Sequence, residues 1–174
     1  MSYPAREFPR AGIRPSLIGM LRPATFEDLE ALIDLAQRPE IARTLATNAV
    51  DSLRDDVGEL LAVEHDHQLA GGVRWTLVNR RSRIADIRTL MIDPAHNGQG
   101  LATRVVRELS RRLIADHDMH RIEAETYGFN EAAKRVFLRA GFTHEGVRRA
   151  AYDRHGGWQD GARFGLLSHE LTDV

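Results

Sequence analysis

The stretch Asp93-Pro94-Ala95-His96-Asn97-Gly98-Gln99-Gly100-Leu101-Ala102-Thr103 joins a predicted β-strand to a predicted helix. Glycines at such a turn let a ligand approach the backbone closely. The first turn of the helix offers unpaired N–H groups and a partial positive charge, which together favour a phosphate group. The stretch lacks the Gly-Lys-Ser/Thr ending of a P-loop and the three-glycine pattern of a dinucleotide-binding turn. It therefore predicts either a phosphate-binding loop or only a glycine-rich turn before a helix.

Three strand patterns precede this turn at close spacing, which predicts an antiparallel meander. The first begins near Glu59, the second is Leu69–Leu77, and the third is Ile84–Ile92. In the second, Val73, Trp75 and Leu77 alternate with Arg74, Thr76 and Val78, which predicts one apolar face. The polar residues 64–68 and 79–82 are the expected connections.

Helix and strand patterns alternate after the turn. Leu101, Val105, Leu109 and Leu113 recur at helical spacing. The later elements are predicted as the strand Arg121–Tyr127, the helix Asn130–Ala140 ended by Gly141, and the strands Phe142–Arg149 and Ala162–His169. The turn-rich residues 153–161 are expected to separate the last two strands. This order predicts an α+β (mixed α/β) sheet domain.

The N-terminal part divides into an arm and a helix. Residues 1–19 contain several Pro and Gly and no sustained period, so they are expected to form an irregular arm, with one domain over 20–174. Thr25 and Asp28 form a capping-box pattern ahead of a helix with an apolar face, which Pro39 ends. A second helical stretch is expected around Glu40–Leu45.

Composition limits the function classes. The 174 residues carry 24 Lys+Arg and 25 Asp+Glu, a formal charge of −1, which argues against nucleic-acid and membrane partners. The chain has no cysteine, which excludes a disulfide, a thiolate nucleophile and a Cys-ligated metal. It shows no secretory signal pattern and no apolar stretch near the about 20 residues that span a bilayer. A cytoplasmic location is the expectation.

Three motifs in order resemble a known superfamily. They are Leu21-Arg22-Pro23-Ala24-Thr25-Phe26-Glu27-Asp28, Asn97-x-x-Gly100-x-Ala102, and Asn130-Glu131-Ala132-Ala133-Lys134-Arg135-Val136-Phe137 with Ala140-Gly141-Phe142. Together they resemble the acyl-CoA-dependent N-acetyltransferases (GNAT). The tail, Gly141-Phe142-x-x-Glu145-Gly146-Val147-Arg148 and Gly157-Trp158-x-Asp160, is similar to the RimJ/RimL type that acetylates ribosomal-protein N-termini. The resemblance runs from about Leu21 to Glu170.

The resemblance implies a fold and a reaction. The fold is a central, twisted, mostly antiparallel sheet flanked by helices, with a splayed strand pair that forms the acyl-CoA cleft. The reaction moves acetyl from acetyl-CoA to a primary amine by direct attack, without a metal. The acceptor is a protein N-terminus or a small amine such as a polyamine, amino sugar or antibiotic. A homodimer is compatible with this family.

The resemblance also assigns donor contacts. The strand before the glycine turn would pair with the pantetheine arm through Leu90, Met91 and Ile92. The coenzyme A pyrophosphate would be cradled by the loop and the start of the helix, which comprise Asn97, Gly98, Gln99, Gly100, Leu101, Ala102 and Thr103. Asn130 and Phe137 would complete the coenzyme site from the later helix.

Two carboxylates are candidates for the base that removes a proton from the amine, whose pKa is near 10.4 as a free alkylammonium. Glu125 matches a glutamate common in the family, and Asp86 lies where some histone-modifying members carry a glutamate. Both have structural alternatives. Glu125 could serve only to solvate a strand end or order a water, and Asp86 could pair with Arg88 or Arg121.

Three departures from the family pattern bear on catalysis. Phe137 stands where many members have a tyrosine that protonates the leaving thiolate, and phenylalanine cannot donate a proton. Ala133 replaces a serine common in the ribosomal type, and Asn97 replaces the usual Gln or Arg. Tyr127 and Tyr152 supply hydroxyls, though not at the usual position. A CoA-binding regulatory protein with reduced catalysis is therefore the alternative function.

Other features have structural explanations. His65-x-His67 has the spacing of a metal pair, but without an identifiable third ligand it is expected to be a solvated turn. The row Arg104, Arg107, Arg111 and Arg112 is expected to be a solvated helix face, with a contact to the coenzyme 3′-phosphate or an acidic partner as the alternative. Trp75 and Trp158 are expected in the core or in the wall of an acceptor pocket.

Overall fold

A computed structural model of the protein describes residues 19–54 and 59–171. The predicted arm lies almost wholly outside these residues. The elements in chain order are β1 (Leu21–Pro23), α1 (Phe26–Gln37), α2 (Pro39–Ala42), α3 (Ala49–Arg54), β2 (Glu59–His65), β3 (Gln68–Asn79), β4 (Ile84–Ile92), a 3₁₀ turn (Pro94–His96), α4 (Leu101–Ala115), β5 (Arg121–Tyr127), α5 (Glu131–Arg139), β6 (Thr143–Arg154) and β7 (Gly157–Leu167).

The strands form one seven-stranded sheet in the order β1-β2-β3-β4-β5-β7-β6. Within it, β4 and β5 run parallel, and the other neighbouring pairs are antiparallel. The chain reaches β5 from β4 through α4, as a parallel crossover requires. The predicted mixed α/β fold with a mostly antiparallel sheet is confirmed.

Helix α1 begins with the predicted capping box. The backbone N–H of Asp28 donates to the Thr25 hydroxyl oxygen at 3.2 Å, and the backbone N–H of Thr25 donates to the Asp28 carboxylate at 2.7 Å. Arg22 also donates two hydrogen bonds to this carboxylate. The Arg22 guanidinium holds the pKa of Asp28 at about 2. The start of α1 is thereby tied to strand β1.

Two apolar layers cover the two faces of the sheet. Helix α4 packs Leu101, Val105, Leu109 and Leu113 on one face, while α1 and α3 bury Leu32 and Leu53 with Met91 of β4 on the other. The predicted apolar face of β3 is present, with Val73 and Trp75 in the core, and the opposite face is covered too, since Arg74 and Thr76 are also buried. Arg74 donates a hydrogen bond to the Leu53 carbonyl oxygen at 3.1 Å. Alternation in the sequence could not show that α3 covers this second face.

Strands β4 and β5 pair over only part of their length. Their register runs from Ile84–Arg121 to Ile87–Ala124 and ends there, although both strands continue. Just beyond this point β4 contains a bulge against β3, where Thr89 has φ +48°. The two strands therefore diverge toward the end of the sheet that carries the glycine-rich turn. The predicted splayed pair is present.

The last hairpin differs from the prediction. Strand β6 continues to Arg154 and β7 begins at Gly157, whereas residues 153–161 were predicted as a long turn. The turn is formed by His155 and Gly156, both with positive φ. Asp153, Gly157 and Gly161 instead lie in the paired strands, and composition alone does not distinguish them from turn residues. Helix α3 was not predicted either.

Candidate active site

The divergence of β4 and β5 opens a cavity of about 410 Å³. Residues 86–90 of β4 and residues 125–127 of β5 form its floor, and Asn130, Ala133 and Phe137 line it from the α5 side. Residues 44–52 of the α2–α3 region form one wall, and Arg148 and Tyr152 of β6 form another. The pocket therefore lies where the hydrogen bonding between β4 and β5 stops.

The hairpin tip contacts the α2–α3 connection, which forms one wall of this pocket. Arg154 donates hydrogen bonds to the carbonyl oxygens of Ala42 and Leu45, at 2.5 and 3.3 Å. The His155 ring donates to the Arg43 carbonyl oxygen at 2.9 Å. These contacts join two segments that are more than 100 residues apart in the chain, so local sequence patterns gave no signal for them.

The glycine-rich turn is held in place at the end of β4. Asp93 caps the 3₁₀ turn by accepting a hydrogen bond from the Ala95 N–H at 2.9 Å, and it pairs with Arg38 at the end of α1. Gly98 and Gly100 have φ of +78° and +70°, a conformation that favours glycine. Gly100 is the N-cap of α4, so the first N–H groups of a 15-residue helix face this turn. This geometry suits a phosphate group.

The predicted donor-contact residues divide into those that could bind through side chains and those that could bind only through the backbone. The side chains of Met91 and Leu101 are buried in the two apolar layers. Leu90 lines the cavity, and Ile92 is half-buried against the core. The other loop residues are exposed at Asn97, Gly98, Gln99 and Gly100 and half-buried at Ala102 and Thr103. A ligand along β4 and this loop would therefore meet mainly backbone groups.

The two predicted α5 residues have structural roles as well. The Asn130 side chain caps α5, since its oxygen accepts a hydrogen bond from the Ala133 N–H at 3.1 Å. Phe137 is buried, and its ring packs against Phe142 and Phe164. Both residues also line the cavity. Phe137 thus presents an apolar surface to the cavity.

Asp86 lies on β4 opposite Glu123, one residue before the last pair that joins β4 to β5. Its carboxylate accepts a hydrogen bond from Arg88 at 2.8 Å, one of the two pairings predicted for it, and its side chain is 18% exposed. Burial raises the pKa of Asp86 above its ordinary value; Arg88 opposes the rise, and Glu123 and Glu125 add to it. Asp86 is therefore a shielded carboxyl group at the cavity wall.

Glu125 lies on β5, one residue beyond the last residue that pairs with β4. Its carboxylate already accepts hydrogen bonds from two side chains. Both of its oxygens lie 3.1 Å from the Arg148 guanidinium, and the Tyr152 hydroxyl donates to Oε1 at 2.7 Å. Burial and the hydrogen bond to Glu125 raise the pKa of Tyr152 to about 12. The two carboxylates predicted as base candidates thus line one cavity in different environments.

Strand β7 leaves space for the contact between Glu125 and Tyr152. Gly161 is opposite Tyr127 and Arg148 in the sheet, and a Cβ there would lie 2.2 Å from Glu125 Oε1 and 3.0 Å from the Tyr152 ring. A bulge in β6 between Arg148 and Tyr152 brings the tyrosine over this glycine. The sequence shows the Tyr152 hydroxyl but not its position, because that position depends on this bulge.

The other candidates lie elsewhere. His65 Nε2 is 3.2 Å from Gln99 Oε1, and its ring contacts the His96 ring, so the histidine packs beside the glycine-rich turn. Over residues 19–54 and 59–171, no three His, Cys, Asp or Glu side chains group as metal ligands would. Within the same residues, no helix combines the length and apolar character needed to cross a membrane. Trp75 is buried as predicted, whereas Trp158 is 70% exposed.

Comparison with known proteins decides the family. A model described as the Acetyltransferase (GNAT) family matches residues 24–142, well over half of the chain. The chain belongs to the GNAT family. The predicted activity, acetyl-CoA-dependent acyl transfer to an amine, is that of this family. The predicted superfamily is confirmed. The RimJ/RimL subgroup stays a prediction, because the matching model describes the GNAT family as a whole.

Individual GNAT relatives agree with this membership. "Probable N-acetyltransferase YjcK" of Bacillus subtilis (strain 168) is 31% identical over 103 residues, which is 59% of this chain and 57% of YjcK, so the match spans less than two thirds of that relative. The structure of spermidine N-acetyltransferase from Vibrio cholerae in complex with CoA and spermine has a TM-score of 0.75 at 21% identity, covering 87% of this chain and 96% of that one. A putative phosphinothricin N-acetyltransferase has a TM-score of 0.70 at 19% identity, covering 88% and 98%. The two structures show that the GNAT fold is shared.

The space above Gly161 generates a prediction. In a Gly161→Ala variant the new methyl group displaces the Glu125 carboxylate, because Glu125 is the flexible partner in the clash. The Tyr152 hydroxyl then loses its acceptor, and its pKa falls from about 12 toward the ordinary value near 10. Carbon-13 NMR of tyrosine labelled at Cζ, followed through a pH titration, would show Tyr152 ionising at a lower pH in the variant than in the wild type.

The matched control is Gly157→Ala, because a Cβ at Gly157 meets nothing within 4 Å and lies in the same hairpin. This variant is expected to titrate like the wild type. A Gly161→Ala protein whose Tyr152 also titrates like the wild type would contradict the assignment of the contact.

Proposed function

We propose that this chain transfers an acetyl group from acetyl-CoA to a primary amine by direct attack, with the thioester placed where β4 and β5 diverge. The observation that carries the proposal is the combination of this divergence with the left-handed glycines at the N-terminus of α4. The first provides unpaired strand backbone beside a cavity, and the second provides a phosphate-binding turn at the end of the same strand. The proposal includes a single domain over residues 20–174 and a cytoplasmic location.

The donor is proposed to bind along β4. The pantetheine arm pairs with the backbone of Leu90, Met91 and Ile92, and the pyrophosphate binds the backbone N–H groups from Gly98 to Thr103. Asn97 and Gln99 border the pyrophosphate, and Asn130 and Phe137 face the thioester end. The buried side chains of Met91 and Leu101 support a contact through the backbone, because such a contact requires no exposed side chain.

Asp86 is proposed as the base that deprotonates the incoming ammonium group. Its carboxyl group has one charged partner, Arg88, and its pKa is raised by burial, which increases its affinity for a proton. Glu125 is the other candidate that the sequence offers. Its oxygens already accept hydrogen bonds from Arg148 and Tyr152, so fewer lone pairs face the cavity. The geometry therefore favours Asp86 for the first proton transfer.

The acceptor is proposed to be the N-terminus of a protein, as in the RimJ/RimL type. Among the described residues that line the cavity, each carboxylate is paired with an arginine, Asp86 with Arg88 and Glu125 with Arg148, so these residues add no excess negative charge. A polyamine, which carries several positive charges, would gain from such an excess. The peptide amine fits the balanced cavity better, and small amines are the competing outcome of the test.

The test measures thiol release from acetyl-CoA with a panel of peptides, polyamines, amino sugars and amino acids. The wild type is expected to release CoA with at least one amine, fastest with peptide N-termini. The Gly100→Val variant is expected to lose CoA affinity by at least tenfold in calorimetry, since valine does not tolerate the +70° φ at the helix N-cap.

Gly156→Val serves as the control for backbone strain, because Gly156 has φ +78° and open space around it but lies in the β6–β7 turn. It should bind CoA like the wild type. Binding of CoA without turnover of any amine would favour the regulatory alternative, for which the buried Phe137 in place of an acid is the supporting observation. Unchanged affinity in Gly100→Val would refute the phosphate-binding turn.

The raised pKa of Asp86 predicts the pH profile of the reaction. The base must be ionised to act, so kcat/KM falls as pH decreases through the Asp86 pKa, which lies above that of an ordinary aspartate. Asp86→Asn should lower kcat by about 10²-fold or more and remove this acid limb. A profile from pH 4 to 9 measures both effects, and an Asp86→Asn enzyme with wild-type kcat at every pH would rule out Asp86 as the base.

A further inference from the structure

The reaction leaves one proton without a donor at the usual place. When the C–S bond of acetyl-CoA breaks, the sulfur receives the electron pair and then a proton. Phe137 has no proton to give, and its ring is fixed by Phe142 and Phe164 in the core. A donor at the cavity has to come from another element of the fold.

We infer that Tyr152 is the proton donor to the leaving thiolate, and that Glu125 resupplies the Tyr152 hydroxyl. This inference rests on the acetyltransferase function proposed above. Tyr152 and Glu125 both line the cavity at the point where β4 and β5 diverge, and the hydroxyl donates to Glu125 Oε1 at 2.7 Å. No donor on α5 is needed in this arrangement.

Two features of the sheet position Tyr152 and Glu125 next to each other. The β6 bulge brings Tyr152 over β7, and Gly161 leaves the space in which the Glu125 carboxylate meets the tyrosine ring. The Tyr127 ring packs edge-on against Tyr152 with centroids 5.1 Å apart and fixes its orientation. Arg148 holds the second carboxylate oxygen. A tyrosine that only filled space would not require the hydroxyl contact.

The proton transfers balance in three steps. Asp86 first takes a proton from the ammonium form of the acceptor, and the neutral nitrogen attacks the thioester carbonyl carbon to form a tetrahedral intermediate. Glu125 then accepts one of the two protons that the nitrogen still carries, and the other stays on the amide product. As the C–S bond breaks, sulfur takes the Tyr152 hydroxyl proton while the phenol oxygen takes the proton from Glu125, so that no phenolate accumulates.

This order explains how a phenol with a pKa of about 12 can act at neutral pH. Such a phenol remains protonated in the resting enzyme, but it would be a weak acid if it had to become a free phenolate. Simultaneous resupply from Glu125 removes that cost. At the end, Glu125 is again ionised and Tyr152 protonated, and Asp86 releases its proton to solvent.

The test compares Tyr152→Phe with Trp158→Phe, an aromatic substitution on the same hairpin at a ring that is exposed and does not line the cavity. Tyr152→Phe is expected to lower kcat by about 10²-fold while KM for acetyl-CoA changes by less than about threefold, because the loss affects proton transfer rather than binding. Trp158→Phe should retain most of kcat. A donor with a more acidic thiol, an acetyl arylthioester, should narrow the gap between wild type and Tyr152→Phe, since that thiolate leaves without protonation.

Glu125→Gln separates proton resupply from positioning. The amide oxygen can still accept the Tyr152 hydrogen bond but cannot carry the proton, so kcat should fall about as far as in Tyr152→Phe. A Tyr152→Phe enzyme with at least half of wild-type kcat, or equal losses with both donors, would overturn the role of Tyr152 while leaving the acetyltransferase function standing. A wild type that binds CoA but acetylates no amine would instead refute the function and, with it, this inference.

Discussion

The structure depends on the point where two parallel strands stop pairing. Strands β4 and β5 share hydrogen bonds up to Ile87 and Ala124, and beyond that point their backbone groups have no partner on the neighbouring strand. Unpaired strand backbone requires a ligand or solvent, because buried N–H and C=O groups without hydrogen bonds are costly. The divergence thus creates a cavity and the backbone donors that line it. Asp86 lies just before the divergence and Glu125 just after it.

The two carboxylates illustrate how one cavity sets two roles through local environment. Asp86 is shielded and has one arginine partner, which raises its pKa, whereas Glu125 is held by Arg148 and Tyr152. Two carboxyl groups in unlike environments can divide a reaction, one accepting the first proton and the other moving the second. The paired arginines also keep the cavity close to neutral, which bears on the acceptor.

Local patterns predicted the elements but not their assembly. Ile84–Ile92 and Arg121–Tyr127 agree with the structure to the residue, because their apolar periods end at clear turn signals. The β6–β7 hairpin does not agree, because glycine and Asp residues typical of turns lie within its paired strands. Local patterns could not predict the contact of Glu125 with Tyr152 either. It depends on the bulge in β6 and on the space at Gly161, which lies on a third strand.

The central claim is that coenzyme A binds along β4 and the glycine-rich turn through backbone amides. Titration of the nitrogen-15-labelled protein with CoA tests it most directly. The account predicts saturable shifts, largest for the amides of Leu90 to Ile92 and Gly98 to Thr103, with little change at Leu21 on the far edge strand. Largest shifts instead around Leu138 and Trp158, on the surface between α5 and the hairpin, or no saturable shift at all, would contradict it.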